Sequence, residues 1–214
     1  MHYIFSSCMD YLLILPLLIL LEVLLCIAYK KQGIRVSLGF IVGWQLLACL
    51  ITIIFSITGA GGINDIGRLI VSLNEVNFIP LKDWSSENCF GMGMNLLLFT
   101  PLGILLPLLW QKGASFVKTI GAGFLLSFCI EASQLLNFRT TDVDDLLMNT
   151  LGTALGFALY YLFLRKIRCL QIENTAPGSL LKNGALISVM LLFAVLFFLA
   201  KPIVSYLWSL IYGY

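Results

Sequence analysis

The sequence predicts an all-α membrane protein, a polytopic bundle of about six transmembrane helices. Three observations carry this. Hydrophobic residues make up 60% of the 214 and charged residues only 11%. A soluble domain carries about 25% charged residues, so this chain lacks the polar surface to cover a water-soluble globule. The apolar residues fall into six long runs, each near the roughly 20 residues that cross a hydrocarbon core. Phe, Tyr and Trp together reach 13%, which suits lipid-facing and interfacial positions.

The same numbers exclude several classes. A net charge of +2 is too small for a nucleic-acid surface. Cys8, Cys26, Cys49, Cys89, Cys129 and Cys169 are scattered, with no CxxC and no Cys/His pairing, so zinc is disfavoured. His2 is the single histidine, which leaves a Ser or Cys nucleophile without its usual base. Most of the cysteines read as small buried hydrophobes, and Cys8 and Cys89 share a compartment that leaves a disulfide open.

Residues 11–29 form the first span. KKQGIR follows it and no basic residue precedes it, the reverse of a cleaved signal peptide, so a retained helix is expected. Glu22 inside it calls for pairing or protonation within the bundle. Residues 38–58 form the second span. The segment 59–93 opens on glycines, and Asn64-Asp65 is placed to cap a short amphipathic helix through Leu73. Asn74, Asn77, Pro80, Lys82 and Trp84 then read as an interfacial loop. The third span, about 94–110, holds Pro101 and Pro107, which free backbone carbonyls that other polar groups must satisfy; Asn95, near its start, is the expected partner. The fourth span is about 117–136 and the fifth about 145–164. Residues 184–200 form the sixth, and Lys201-Pro202 is expected to interrupt the chain before an aromatic tail at the headgroup belt. Three regions result: two N-terminal helices (1–58), a core of loop and three spans (59–166), and a linker, last helix and tail (167–214).

Orientation follows from Lys and Arg. With the amino terminus outside, the inner side holds Lys30, Lys31, Arg35, Lys112, Lys118, Arg165, Lys166, Arg168 and Lys182, and the outer side Arg68, Lys82, Arg139 and Lys201. Nine against four satisfies the positive-inside rule. The polar stretches 59–93 and 137–145 then share the extracytoplasmic side.

Between Ser127 and Gly156, where two apolar runs meet at a short hairpin, Glu131, Arg139, Asp142, Asp144 and Asp145 cluster with Gln134 and Asn149. Ser127, Glu131 and Gln134, spaced four and three apart, share one face of the fourth helix. Glu131 lies roughly 9 Å below the hairpin at helical rise, where an ionised side chain costs on the order of 3 kcal/mol, so it must face the bundle and find a partner. Arg139 is the nearest cation. One of Asp142, Asp144 and Asp145 is accounted for by capping the fifth helix; three within four residues are not. Asn149 lies one turn beyond Asp145, and Gly152 and Gly156 continue as a small-xxx-small pattern that brings helices close. Such a set suits a divalent cation through its oxygens, a phosphate through its arginine, or acid–base chemistry through a buried Glu beside an Asp. No phosphate loop, HExxH or GxSxG is present.

These residues resemble the VanZ-like family of bacterial membrane proteins. The matching pieces are Asn77-Phe78-Ile79-Pro80, then Asn95 through Phe99, Pro101 and Gly103, then Ser127, Glu131, Gln134, Arg139, Asp142, Asp144, Asp145, Asn149, Gly152 and Gly156. They span about 68–164; Leu81 stands where the family usually has Phe. The resemblance implies a multi-pass protein of the Gram-positive plasma membrane, tied to resistance against teicoplanin-type glycopeptides. Two functions follow as expectations. In the first, without catalysis or cofactor, Asn77, Pro80, Asn95, Glu131, Gln134, Arg139, Asp142, Asp144, Asp145 and Asn149 line an outer-leaflet polar site for a lipid, a lipid-linked cell-wall precursor or the drug itself. In the second, an intramembrane enzyme modifies a cell-wall lipid: Glu131 is acid and base, Asp142, Asp144 or Asp145 holds a divalent cation, and Arg139 clamps a phosphate. A carrier is disfavoured, because no inverted repeat is visible.

Overall fold

The computed structural model describes residues 2–68, 76–77, 86–110, 115–136, 141–167 and 183–212. It is a membrane helix bundle in which six helices are long and apolar enough to cross a bilayer. Helix α1 (His2–Lys31) and α2 (Leu38–Thr58) are followed by a 3₁₀ turn (Ile63–Arg68) and a two-residue strand, β1 (Val76–Asn77). Then come α3 (Ser86–Leu109), α4 (Phe116–Gln134), a second two-residue strand, β2 (Thr141–Asp142), and α5 (Val143–Leu159), which runs into a π-helical turn (Tyr160–Leu164). The last span is α6 (Gly184–Val195), a π-helical turn (Leu196–Ala200) and α7 (Lys201–Tyr212).

Helix α2 is central, packing on α1, α3 and α6. Its buried face carries Phe40, Trp44, Leu47, Ile51, Ile54 and Phe55, at the helical spacing that one stripe requires. Ser37 caps its start, its hydroxyl accepting from Phe40 N at 3.1 Å. Gly59 ends it at φ 68°, with its N–H turned back to Phe55 O and Ser56 O, a left-handed cap that glycine takes without a Cβ penalty. By contrast α1 exposes Leu12, Ile19, Leu20, Val23, Leu24 and Ile27, the surface that faces lipid. Buried aromatic donors tie the basic end together: Trp110 Nε1 donates to Tyr29 Oη at 3.1 Å, and Trp44 Nε1 to Ser188 Oγ at 3.4 Å.

The tightest helix pair is α3 against α5, and small residues make it possible. A Cβ on Gly103 would strike Thr153 O; one on Gly152 would strike Leu96 O; one on Gly156 would strike Thr100 O. Bare backbone meets bare backbone along this seam, the small-residue packing that membrane helices use where hydrophobic driving force is absent.

Three expectations change, and the one for Glu22 is met. Asp65 does not cap a helix running forward; its Oδ2 accepts from Gly62 N behind it at 2.9 Å, and the turn Ile63–Arg68 is 3₁₀. Residues 69–73 lie outside the described residues. Helix α3 begins at Ser86 rather than near 94, so Asn95 sits in its third turn and serves a side chain on α5 instead of a freed carbonyl. Glu22 is paired by Gln45, whose Nε2 donates to Glu22 Oε2 at 2.6 Å. Lys201-Pro202 does not break the last helix. Proline clashes with the carbonyl four residues back and offers no N–H. The π turn just before it absorbs the misfit, with Lys201 N bonding to Leu196 O five residues back.

Candidate functional site

Chain order alone would leave residues 76–77 and 141–142 far apart. The fold pairs them: β1 and β2 run parallel, with Val76 opposite Thr141 and Asn77 opposite Asp142. The pair closes the bundle at the end where α2 and α4 finish and α5 begins.

Asp142 is the pivot. It caps α5 from an extended backbone (φ −120°, ψ 128°), Oδ1 accepting from Asp144 N at 2.9 Å. Its carboxylate also accepts from Asn77 Nδ2 at 3.3 and 3.4 Å. Its own N–H donates to Glu131 Oε2 at 3.3 Å. Glu131 is 5% exposed in the last turn of α4, with Asp142 and Asp145 both within electrostatic reach. One buried carboxylate on α4 thus faces two on the start of α5. Repulsion of this kind is tolerated where hydrogen bonds or a counter-charge offset it.

Asp145 goes another way. Asn95 Nδ2, from α3, donates to its Oδ1 at 2.6 Å. Asn149, one turn on and fully buried, turns to α4 instead, with Nδ2 donating to Ser127 Oγ at 2.9 Å. The two residues share a stripe by spacing, yet the rotation between them is enough to send one to each neighbouring helix. Gln134 Nε2 donates to Thr58 O at 2.7 Å and ties α4 to the end of α2. Gln134 Oε1 and Asn149 Oδ1 are buried without a hydrogen-bond partner. These are polar atoms of the kind that ordered water or a ligand satisfies.

The structure therefore brings together Asn77, Asn95, Glu131, Asp142, Asp144 and Asp145 at one end of the bundle, with Gln134 beside them and Asn149 one layer deeper. Pro80 and Arg139 lie outside the described residues. Among the described residues no three or more His, Cys, Asp and Glu side chains are placed to hold a metal ion; Asp142 and Asp145 are taken by Asn77 and Asn95. Cys26, Cys49, Cys89 and Cys129 are half-buried and form no disulfide.

Sequence reasoning missed two contributors. Ser133 Oγ accepts from Gly61 N at 3.0 Å while donating to Ile130 O at 2.7 Å, which pins the loop after α2 to α4. The signal was Gly61-Gly62: a Cβ at 61 would strike Ser133 O. The backbone pairing at Asn77 was the other, and two residues are too short for any alternation to be visible. Cavities of about 520 and 750 Å³ lie away from this cluster, the first between α1, α2 and α7, the second lined by Glu22, Lys30 and Arg35.

A model of the VanZ/LLP1 family matches residues 40–164. The matched stretch begins within α2 and ends with the π turn after α5, so it holds every described residue of the acidic end. No curated protein and no solved structure matches the chain.

Proposed function

The chain belongs to the VanZ/LLP1 family, and on that premise we propose that it is a non-catalytic binding protein of the bacterial plasma membrane which gives resistance to lipidated glycopeptides of the teicoplanin type. The amino terminus is outside, and the acidic end of the bundle faces the outer leaflet. There it engages a lipid-linked cell-wall precursor, a membrane lipid or the drug.

The observation that carries this reading is the convergence at Asp142. A strand pair, a helix start and the buried end of α4 meet on one residue, the first and last through its backbone and the helix start through its carboxylate. The amides of Asn77 and Asn95 are spent on aspartates from two different segments. An arrangement that holds several carboxylates in fixed positions at a membrane surface is preorganised for a polar partner, and preorganisation lowers the cost of ordering on binding. Carboxylates held in this way accept from the N–H and O–H groups that the peptide and sugar of a cell-wall precursor present.

Expression in a susceptible Gram-positive host tests it. The inhibitory concentration of teicoplanin is expected to rise more than that of a glycopeptide without a lipid tail. Equal or absent change for both drugs would count against the reading. A changed precursor mass in the same cells would point to the enzyme in which Glu131 is acid and base.

A further inference from the structure

At the end of the bundle opposite the acidic one, the chain passing from α1 to α2 folds around the cavity of about 750 Å³. Its volume falls within the roughly 300–1,000 Å³ of small-molecule sites. One wall is the face of α1 that carries Ile19, Val23 and Ile27, spaced four apart and all exposed. That face looks to lipid, so the cavity opens to the bilayer. The other wall is the loop residues 34–37 with Ile41 in the first turn of α2.

A backbone closure builds the mouth. Gly33 sits at φ 73°. Its N–H donates to Lys30 O at 3.0 Å, and that of Ile34 to Tyr29 O at 3.1 Å. This is a paired helix ending in which glycine takes the left-handed position. It turns the chain back so that Arg35 lines the same cavity as Lys30. The carbonyls of Tyr29 and Lys30 are met by backbone N–H groups, so capping α1 does not account for the two cations. Ser37 opens α2 at the same mouth, and the positive end of that helix dipole adds to them. Of the described lining residues Glu22 alone is a carboxylate, and it lies eight residues before Lys30, roughly 12 Å deeper. It is 5% exposed and its Oε2 accepts from Gln45 Nε2. The cavity is therefore basic at its mouth and mostly apolar below. From Ile19 to Lys30 it follows α1 for roughly 16 Å, about the depth of one leaflet of a roughly 30 Å hydrocarbon core.

We propose that this cavity binds an anionic phospholipid, with its phosphate between Lys30 and Arg35 and one acyl chain along Ile27, Val23 and Ile19. Arginine suits a phosphate through its paired donors, and lysine adds a point charge. A choline headgroup would set its own cation beside these two, so a lipid of net negative charge is preferred. A soluble phosphate ester would leave the apolar wall uncovered. The inference does not depend on what the acidic end binds.

Native mass spectrometry of the full chain in detergent tests it, with dioctanoyl phosphatidylglycerol, dioctanoyl phosphatidylcholine and free glycerol 3-phosphate as probes. The glycerol lipid is expected to bind about tenfold more tightly than the choline lipid, a difference of about 1.4 kcal/mol, and more tightly than glycerol 3-phosphate. Lys30→Gln and Arg35→Gln are each expected to weaken the glycerol lipid, and the double change to erase the preference. Lys31→Gln removes the same charge from the same turn of α1 but outside the cavity lining, and is expected to leave the preference unchanged. Val23→Trp is expected to weaken both lipids by filling the space. Equal binding of the two lipids by the unmodified protein would overturn the proposal, and that comparison needs no variant to fold. A loss in Lys31→Gln as large as in Lys30→Gln would overturn it too, because diffuse surface charge would then suffice. Glycerol 3-phosphate bound as tightly as the glycerol lipid would also overturn it.

Discussion

Glu131 Oε2 accepts the backbone N–H of Asp142 at 3.3 Å, so a buried side chain near the end of α4 holds the first residue of the turn into α5. The contact joins the two halves of the acidic end. Glu131→Gln keeps an oxygen to accept that bond and removes the ionisable carboxyl. The variant is expected to insert and to unfold within about 1 kcal/mol of the parent, yet to lose the drug protection proposed above. Glu131→Ala strands the N–H and is expected to cost about 1–3 kcal/mol as well. Unfolding in detergent and inhibitory concentrations, measured side by side, separate the two effects. Full protection by Glu131→Gln would show the residue to be structural.

Capping gives a second expectation. Asp142→Ala removes the acceptor for Asp144 N and for Asn77 Nδ2, and a lost N-cap costs about 0.5–2 kcal/mol. Asp142→Asn keeps a capping oxygen and is expected to cost less. Hydrogen exchange at the first turn of α5 should rise in Asp142→Ala and change little in Asp142→Asn.

The glycine seam predicts a contrast between two similar changes. Gly156→Ala drives a methyl into Thr100 O, and overpacking of this kind costs about 1–3 kcal/mol. Gly121→Ala has nothing within 4 Å of the new Cβ, and alanine favours a helix over glycine by up to about 1 kcal/mol. The first is expected to destabilise and the second to be neutral or stabilising. Equal effects in a melting experiment would contradict the packing of α3 on α5.

Asn149 and Ser127 form a buried pair at 2.9 Å. Either single change to Ala leaves a polar group without its partner, at about 1–3 kcal/mol. The double change is expected to cost less than the sum of the singles, a coupling of at least about 0.5 kcal/mol in a double-mutant cycle. Strict additivity would mean that the two side chains are satisfied elsewhere.

With no metal-ligand cluster among the described residues, a chelator is expected to leave the melting temperature of the purified protein unchanged. A fall reversed by Mg²⁺ or Ca²⁺ would place a cation among Asp142, Asp144 and Asp145 after all.

Much of the bundle was legible in the sequence because membrane spans are long and hydrocarbon tolerates so few charges. The six apolar runs became six helices, and Gly152 and Gly156 lie at a close helix contact, as small-xxx-small spacing implies. What was not legible depends on chain that folds back. The apolar run around Asn95 hides two further turns of α3, which begin at Ser86 and set Asn95 opposite Asp145. Asp145 and Asn149 share a stripe in sequence, but a stripe has width, and two neighbouring helices divide it. The pairing of Val76-Asn77 with Thr141-Asp142 is non-local and two residues long, so no periodicity announces it. Pro202 signals a stop only where an α-helix lies on both sides, and here a π turn precedes it.

That last exception sets the register of the chain after it. A π turn is what remains when a helix takes in one residue beyond its α register. Every side chain after it is turned by about 100° relative to where an uninterrupted helix would put it. Delete one residue between Leu196 and Ala200 and the helix would still form and still be apolar, but Trp208 would swing away from Asp10 and Lys201 away from Phe55. The contacts of Trp208 and Lys201 thus depend on the register that one π turn sets.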